Sequence, residues 1–274
     1  MNRRYNQRGF ALLASLSTVA ALVTAGPQAY RVALAQDKPE TLEPINPDRP
    51  DFTNSPDTVA VGHTQLEFGT QFTRSGPHKL TETGGMLRIG LSQKFEARVD
   101  MPLYAHSTDP TGTQQGFEDG GLGFKVKLVE GSEKPNWAKP AVGLEVDVAL
   151  PTGASAFTGR DVQPQAQLLT EWQLGANDSL GTSFGLAYLG QSGSRYGQVI
   201  ATASWDHDFS PRLGSFIEGF TFVADGRDAT SYSGFDTGLQ FLVNNNTMLD
   251  MIVGLPLTEG SPEYFVGAGL SVRF

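Results

Sequence analysis

The chain has 274 residues, of which 29 are acidic and 20 are basic, and it contains no cysteine. Its formal net charge of −9, without a basic face, argues against nucleic-acid binding. The absence of cysteine excludes thiol catalysis, thiolate metal sites and disulfide bonds.

The N-terminus has the three parts of a secretory signal. A basic start is followed by a mostly apolar run over residues 10–23 and by the small residues Ala33 and Ala35. This order predicts a signal peptide over residues 1–35, cleaved to leave Gln36 first. The alternative is an uncleaved anchor, which the short run disfavours.

Residues 36–62 form a proline-rich stretch with acidic and hydroxyl side chains between the prolines. So few apolar side chains cannot support a packed core. We therefore predict an extended periplasmic lead-in, not a domain. Such a segment could either occlude the barrel or bind a partner, and its composition does not decide between them.

From residue 63 onward, apolar and polar side chains alternate in twelve segments of about 9–11 residues, the length of a tilted membrane strand. The segment that begins at Phe95 is typical, with Glu96 and Arg98 on the polar face. An even number of alternating strands predicts an all-β fold, a transmembrane antiparallel up-and-down β-barrel over residues 63–274. A soluble β-sandwich is the alternative, because its strands alternate as well.

One segment departs from the pattern. In the stretch that begins at Leu213, the acidic Glu218 falls in phase with Phe216 and Phe220. An acidic side chain on the same face as two phenylalanines suggests that the apolar–polar alternation changes phase within the strand. We therefore predict a β-bulge there.

The connections between segments fall into two classes. Short turns alternate with generally longer connections, and this asymmetry is typical of outer-membrane barrels with both termini in the periplasm. The longer connections are predicted at residues 75–83, 106–119, 152–161 and 224–233. Prolines fit this division, since Pro102, Pro151, Pro164 and Pro256 fall near the loop-side ends of strands, where pairing can stop.

Aromatic residues mark both ends of the predicted strands. Trp172, Trp205 and Phe274 lie near the turn side, whereas Tyr104 and Tyr188 lie near the loop side. Two aromatic belts are expected at the two interfaces of a bilayer. We expect the lipid bilayer of the outer membrane as one partner and the barrel-assembly machinery, through the strand ending at Phe274, as another.

The sequence resembles a known outer-membrane family. The resemblance begins at Asp48-Arg49-Pro50-Asp51-Phe52-Thr53 and continues at Glu118-Asp119-Gly120-Gly121, at Leu150-Pro151-Thr152-Gly153 and at the C-terminal end. These stretches are similar to those of the meta-pathway phenol-degradation family, whose members are often labelled transporters. The resemblance implies an outer-membrane barrel with a role in uptake of aromatic or other hydrophobic compounds.

If the polar face lines a lumen, its charges are the candidate site. They are Glu67, Arg88, Glu96, Arg98, Asp100, Lys125, Lys127, Glu145, Asp147, Glu171 and Arg273. They could form a charged constriction that selects solutes, or a paired network that fills and stiffens the barrel. A twelve-strand barrel lies between the filled and the open sizes, so both remain open at this point.

Three functions compete. The favoured hypothesis is an outer-membrane channel or diffusion facilitator for small solutes, hydrophobic or aromatic ones included. The second is a non-conducting structural barrel that binds a partner through its loops or its lead-in. The third is a lipid-modifying enzyme, for which His78 and His106 would be the available loop histidines. No residue spacing indicates a catalytic, metal or cofactor site.

Overall fold

A computed structural model describes residues 42–191, 194–226 and 230–274. The predicted signal peptide, the proposed cleavage site and the first residues of the lead-in lie outside the described residues. Within that part of the chain, no helix is long and apolar enough to cross a membrane.

Thirteen strands make up a single antiparallel sheet in the described residues. Their bounds are β1 Thr64–Ser75, β2 His78–Ser92, β3 Phe95–Asp109, β4 Gly112–Gly116, β5 Gly120–Val129, β6 Ala141–Leu150, β7 Gln163–Gln173, β8 Asp178–Gln191, β9 Ser194–Ser210, β10 Leu213–Ala224, β11 Tyr232–Asn244, β12 Thr247–Pro256 and β13 Tyr264–Arg273.

The sheet closes on itself as a barrel. Strand β1 pairs with β13 from Gln65↔Arg273 to Arg74↔Tyr264, and β2 pairs with β3, so no free edge is left between them. The short β4 continues the line of β5, since both pair with β3 on the same side. The barrel therefore has twelve strand positions around its circumference, one of which β4 and β5 share. The predicted fold class is confirmed.

The two faces of the barrel differ as the alternation predicts. Outward side chains such as Phe184, Leu186 and Met251 are apolar and more than half exposed. Inward side chains include Glu67, Arg98 and many other polar groups that are almost fully buried. An apolar outer surface around a polar interior is the arrangement that a membrane-spanning barrel requires.

Aromatic residues gather at both rims. Trp137 lies in the β5–β6 connection, is 68% exposed and tilts against Trp172, whose Nε1 donates to the Trp137 carbonyl. Tyr104 contacts Phe117 edge-on at the opposite rim. These pairs match the two belts expected at bilayer interfaces.

Several local predictions require correction. The loop expected at residues 75–83 is a tight turn, because β1 and β2 continue paired as far as Ser75↔His78. Part of the loop expected at residues 106–119 is a hairpin formed by β3 and β4. Extended paired strands replace loose loops there, since polar side chains can face water on both sides above the membrane.

Two predictions about strand irregularity were also wrong. Pro102 does not end β3; the strand continues, and the register with β2 shifts between Thr83 and Gly84 to absorb the missing donor. Conversely, no bulge occurs at Glu218. The pairing of β10 shifts only at Leu213/Gly214, and Glu218 points inward together with Phe216 and Phe220.

Candidate functional site

The lumen holds the chain's own N-terminal segment. Residues 42–62, which we call the plug, belong to the stretch that the sequence predicts as a periplasmic lead-in, and they run through the barrel interior, as in the occluding alternative. The plug enters at the turn end, where Ile45 N–H donates to the Asn245 carbonyl at 2.8 Å. It reaches its apex near Phe52 and returns to the turn end, where Gly62 N–H donates to the Gly90 carbonyl.

The plug contains no helix or strand, so its backbone groups need other partners. Wall carboxylates accept its N–H groups: Glu67 from Asp48 at 3.1 Å, and Glu96 from Val59 at 2.8 Å. Its prolines lack an N–H and so reduce the number of donors that must be satisfied.

Cationic side chains of the barrel wall donate hydrogen bonds to the backbone carbonyl groups of the plug. The guanidinium of Arg88 donates to Asn46 and to Asp57, and Lys125 Nζ donates to the Ser55 carbonyl at 2.8 Å. The inward charges of the barrel are thus matched to the backbone of the plug. This is the physical reason why a segment with little apolar surface lies inside.

Asp48 is the centre of the charge network. Its carboxylate contacts Arg88 at 3.3 Å, Arg98 at 2.5 Å and Lys125 at 2.7 Å. Burial alone would raise the pKa of Asp48, but these three cations outweigh it and hold that pKa well below its usual range. One plug residue therefore neutralises charge contributed by β2, β3 and β5.

The same network includes wall acids. Arg88 pairs with Glu67 at 2.9 Å and Glu96 at 2.8 Å, and Arg98 pairs with Glu145 at 3.1 Å. All of these groups are nearly inaccessible, so each charge depends on its partners.

A second contact of the plug uses a glycine slot. The guanidinium of Arg49 lies over Gly69 and Gly269, which face each other on β1 and β13, and reaches Asp250 at 3.1 Å. A Cβ at either glycine would overlap the guanidinium. Glycine is therefore needed there for the close approach of the side chain, not for a turn.

The apex of the plug is held by apolar and polar contacts together. The Phe52 ring packs edge-on against Phe220, Phe222 and Phe265 at centroid distances of 4.8 to 5.9 Å. Thr53 Oγ1 lies 2.6 Å from Thr202 Oγ1 and 2.5 Å from Glu218. These inward phenylalanines explain the unusual phase of β10.

A cavity of about 510 Å³ remains on the loop side of the plug. Phe52 and Asp51 form part of its lining, together with Asp100, Asp147 and Gln167 from the wall. A smaller cavity of about 170 Å³ lies beside Arg49. The lumen is thus filled from the turn end to the plug apex and hollow beyond it.

The structure brings most predicted charges together and separates a few. Glu67, Arg88, Glu96, Arg98, Lys125, Glu145 and Asp147 belong to the Asp48 network. Lys127 pairs with Asp57 and Glu130, and Glu171 accepts from Ser55. Asp100 lines the cavity, and Arg273 donates to Glu43 and Asn246 at the turn end.

Sequence reasoning did not identify the plug residue in any of these contacts. Asp48, Arg49, Phe52 and Thr53 all lie in the stretch that carried the family resemblance, and that stretch was the available signal. Its polar composition alone predicts only an extended segment without a packed core.

His78 and His106, which were predicted in loops, lie in the extended strands β2 and β3. His78 Nδ1 lies 4.0 Å from Asp109, at an exposed position. Within the described residues, no three His, Cys, Asp or Glu side chains are arranged to hold a metal ion.

Comparison with known proteins places these features in a family. Residues 47–274 match the family model described as "Putative MetA-pathway of phenol degradation". No curated protein is detectably similar in sequence.

Solved structures that share the fold include two outer-membrane proteins. The COG4313 outer membrane channel from Pseudomonas putida F1 superposes with a TM-score of 0.61 at 16% identity, over 87% of this chain and 100% of that one. The KdgM porin in complex with disordered oligogalacturonate superposes with a TM-score of 0.50 at 8% identity, over 77% of this chain and 99% of that one. At these identities the likeness concerns the fold alone.

Proposed function

Because the chain belongs to the MetA-pathway of phenol degradation family and folds as an outer-membrane barrel, we propose that it is an outer-membrane channel for small solutes. The observation that carries the proposal is the polar lumen of the closed barrel. Among the described residues, only those of the plug fill this lumen. Two proteins with the same fold are described as a channel and a porin.

Passage requires the plug to move, since it fills the turn half of the lumen. Its contacts suit reversible movement, because most are hydrogen bonds and ion pairs that water can replace at both partners. The wall strands keep their backbone ladders without it, because none of its residues pairs into the sheet. The apex cluster at Phe52 is its main apolar attachment.

A disulfide lock tests this proposal in a chain that has no native cysteine. Thr53 and Thr202 touch through their hydroxyls, so a Thr53→Cys, Thr202→Cys pair is placed to bridge apex and wall. In planar bilayers we expect ion current from the refolded wild type, loss of current in the oxidised pair, and recovery after reduction. The two single-cysteine variants are the controls and should conduct under both conditions.

A sealed structural barrel is the competing function, and the buried network around Asp48 favours it. It predicts no ion current from the wild type or from the reduced pair. That hypothesis also needs a partner-binding surface other than residues 42–62, because the plug is occupied by the wall. Absence of current in every variant would reject the channel.

The terminal strand supports a further part of the proposal. Phe274 follows β13 at the turn rim and is 69% exposed. Its position suits recognition by the barrel-assembly machinery from the periplasmic side. Replacing Phe274 with alanine should lower the amount of folded barrel in cells without changing refolding of the purified chain into detergent.

A further inference from the structure

The cavity above the plug has two chemically different walls. Asp100 of β3 and Asp147 of β6 lie on one wall, whereas Phe222 of β10 and Tyr232 of β11 lie on the other. Strands β3 and β10 are six places apart in the closed ring of twelve, so these walls face each other across the lumen. Phe52 of the plug adds a third ring to the lining.

The charges in this lining do not balance. Three wall carboxylates line the cavity, those of Asp100, Glu145 and Asp147, and Arg98 is the single cation among the described lining residues. Arg98 already contacts Asp48, Glu96, Glu145 and Asp147, so little of its charge is left for the cavity. Unbalanced carboxylates beside low-dielectric walls attract cations more strongly than they would in water.

One acceptor atom in the lining also lacks a donor. Gln167 is 6% exposed, yet its Oε1 accepts no hydrogen bond from any residue that the structure describes. Asp147 Oδ1 makes no hydrogen bond either, but Arg98 Nε lies 3.5 Å from it. A buried acceptor is ordinarily satisfied, so Gln167 Oε1 points to an occupant that carries N–H or O–H donors.

From this arrangement we infer that the cavity binds small organic cations with an aromatic or alkyl body. The ammonium head would lie against Asp100 and Asp147 and donate to Gln167. The body would pack on Phe52 and Phe222, whose ring faces also attract the cation. The inference rests on the proposed channel, because it names the class of solute that such a vestibule would select.

Isothermal titration calorimetry on the refolded protein tests binding without requiring conduction. The probes are benzylammonium, its neutral analogue benzyl alcohol, the anion benzoate, and methylammonium as a head without a body. We expect benzylammonium to bind more tightly than the other three. Asp100→Asn and Asp147→Asn should each weaken it by about tenfold, the loss expected for one close charge contact.

A matched control separates the cavity from general surface charge. Glu259→Gln removes an exposed loop acid outside the lining and should leave benzylammonium affinity unchanged. Phe222→Leu should weaken benzylammonium more than methylammonium, because only the former uses the ring. Heat-dependent gel mobility confirms that each variant is folded before titration.

Three results would overturn the inference. They are equal affinity for benzyl alcohol or benzoate, no measurable binding of benzylammonium, or affinity that survives both aspartate substitutions. A protein that conducts ions but shows any of these results would keep the proposed channel and lose the solute class. A protein that binds benzylammonium but never conducts ions would keep the binding site and lose the proposed channel.

Discussion

Lys125 Nζ lies 2.7 Å from both carboxylate oxygens of Asp48, although 76 residues separate them in the chain. The lysine is on the wall and the aspartate is on the plug. Both are buried, so removing either would leave the other with fewer partners for its charge. This contact joins a segment that has no strand of its own to the centre of the barrel.

Replacing Asp48 with asparagine should destabilise the folded protein strongly. The change leaves Arg88, Arg98 and Lys125 buried with one fewer anion, and breaking a buried pair from one side costs about 3–5 kcal/mol. The free energy of unfolding, measured by urea denaturation in detergent or liposomes, should fall by that amount.

Asp57→Asn is the matched control for Asp48→Asn. Asp57 is also a plug aspartate paired with a wall lysine, Lys127, but its side chain is 45% exposed. An exposed pair is worth about 0–1 kcal/mol, so the loss should be small. Equal losses for the two variants would mean that the Asp48 network does not stabilise the plug.

The two acidic residues Asp48 and Asp51 should give the plug opposite responses to pH. The pKa of Asp48 is held below its ordinary value of about 3.9, so its contribution is present above that pH and is lost only as pH falls through the lowered value. Burial and the nearby carboxyls of Glu218 and Asp206 raise the pKa of Asp51. Its contribution is present below pH of about 3.9 and is lost as pH rises through the raised value.

Urea midpoints measured from pH 5 to 9 check this prediction. Asparagine resembles protonated aspartate, so Asp51→Asn should reduce the loss of stability that the wild type shows as pH rises. The difference between wild type and Asp48→Asn should stay constant over the same range. Parallel curves for wild type and Asp51→Asn would contradict the assignment.

The barrel could be predicted because its signal is local. A strand such as β3 shows its two faces within a few residues, and the charges on the inward face are visible from period alone. Glu67, Arg88 and Lys125 were identified in this way. Extended hairpins were missed because polar residues above the membrane, as at Thr81 and Thr83, carry no apolar alternation to mark the strand.

The position of the plug could not be decided from the sequence because the plug is stabilised by partners that are distant in sequence. Asp48 looks like a solvated acid until Arg98 and Lys125 are placed around it, and Arg49 requires the slot between Gly69 and Gly269. Composition measures how much apolar surface a segment can bury. It does not register a segment whose backbone is satisfied by charges on a surrounding wall.

The glycine slot predicts a difference between two neighbouring alanine substitutions. Gly69 and Gly84 are directly paired on β1 and β2, but a Cβ at Gly69 would overlap Arg49, whereas a Cβ at Gly84 meets nothing within 4 Å. Gly69→Ala should displace Arg49 from Asp250 and cost about 1.5–3 kcal/mol, the worth of a hydrogen bond to a charged group. Gly84→Ala should be neutral or stabilise slightly, by about 0.4–1 kcal/mol.

Urea midpoints again provide the measurement, and Gly69→Ala combined with Asp250→Asn identifies the cause. If the alanine acts by breaking the Arg49–Asp250 contact, the double variant should lose less than the sum of the single losses. Fully additive losses would show that the alanine strains β1 itself.

The outer face of the barrel predicts how charge is tolerated at different heights. Ile217 lies near the middle of β10 and is 54% exposed on the outer face, whereas Leu257 follows β12 at the loop rim and is 64% exposed. Arginine at the middle of a lipid-facing strand costs about 2–4 kcal/mol, falling to about 0–1 kcal/mol near the interface. Ile217→Arg should therefore lower the free energy of unfolding in liposomes by the larger amount and Leu257→Arg by the smaller one. If both side chains faced water, the two arginine substitutions would cost similar amounts. Equal costs in liposomes would therefore mean that β10 does not face lipid.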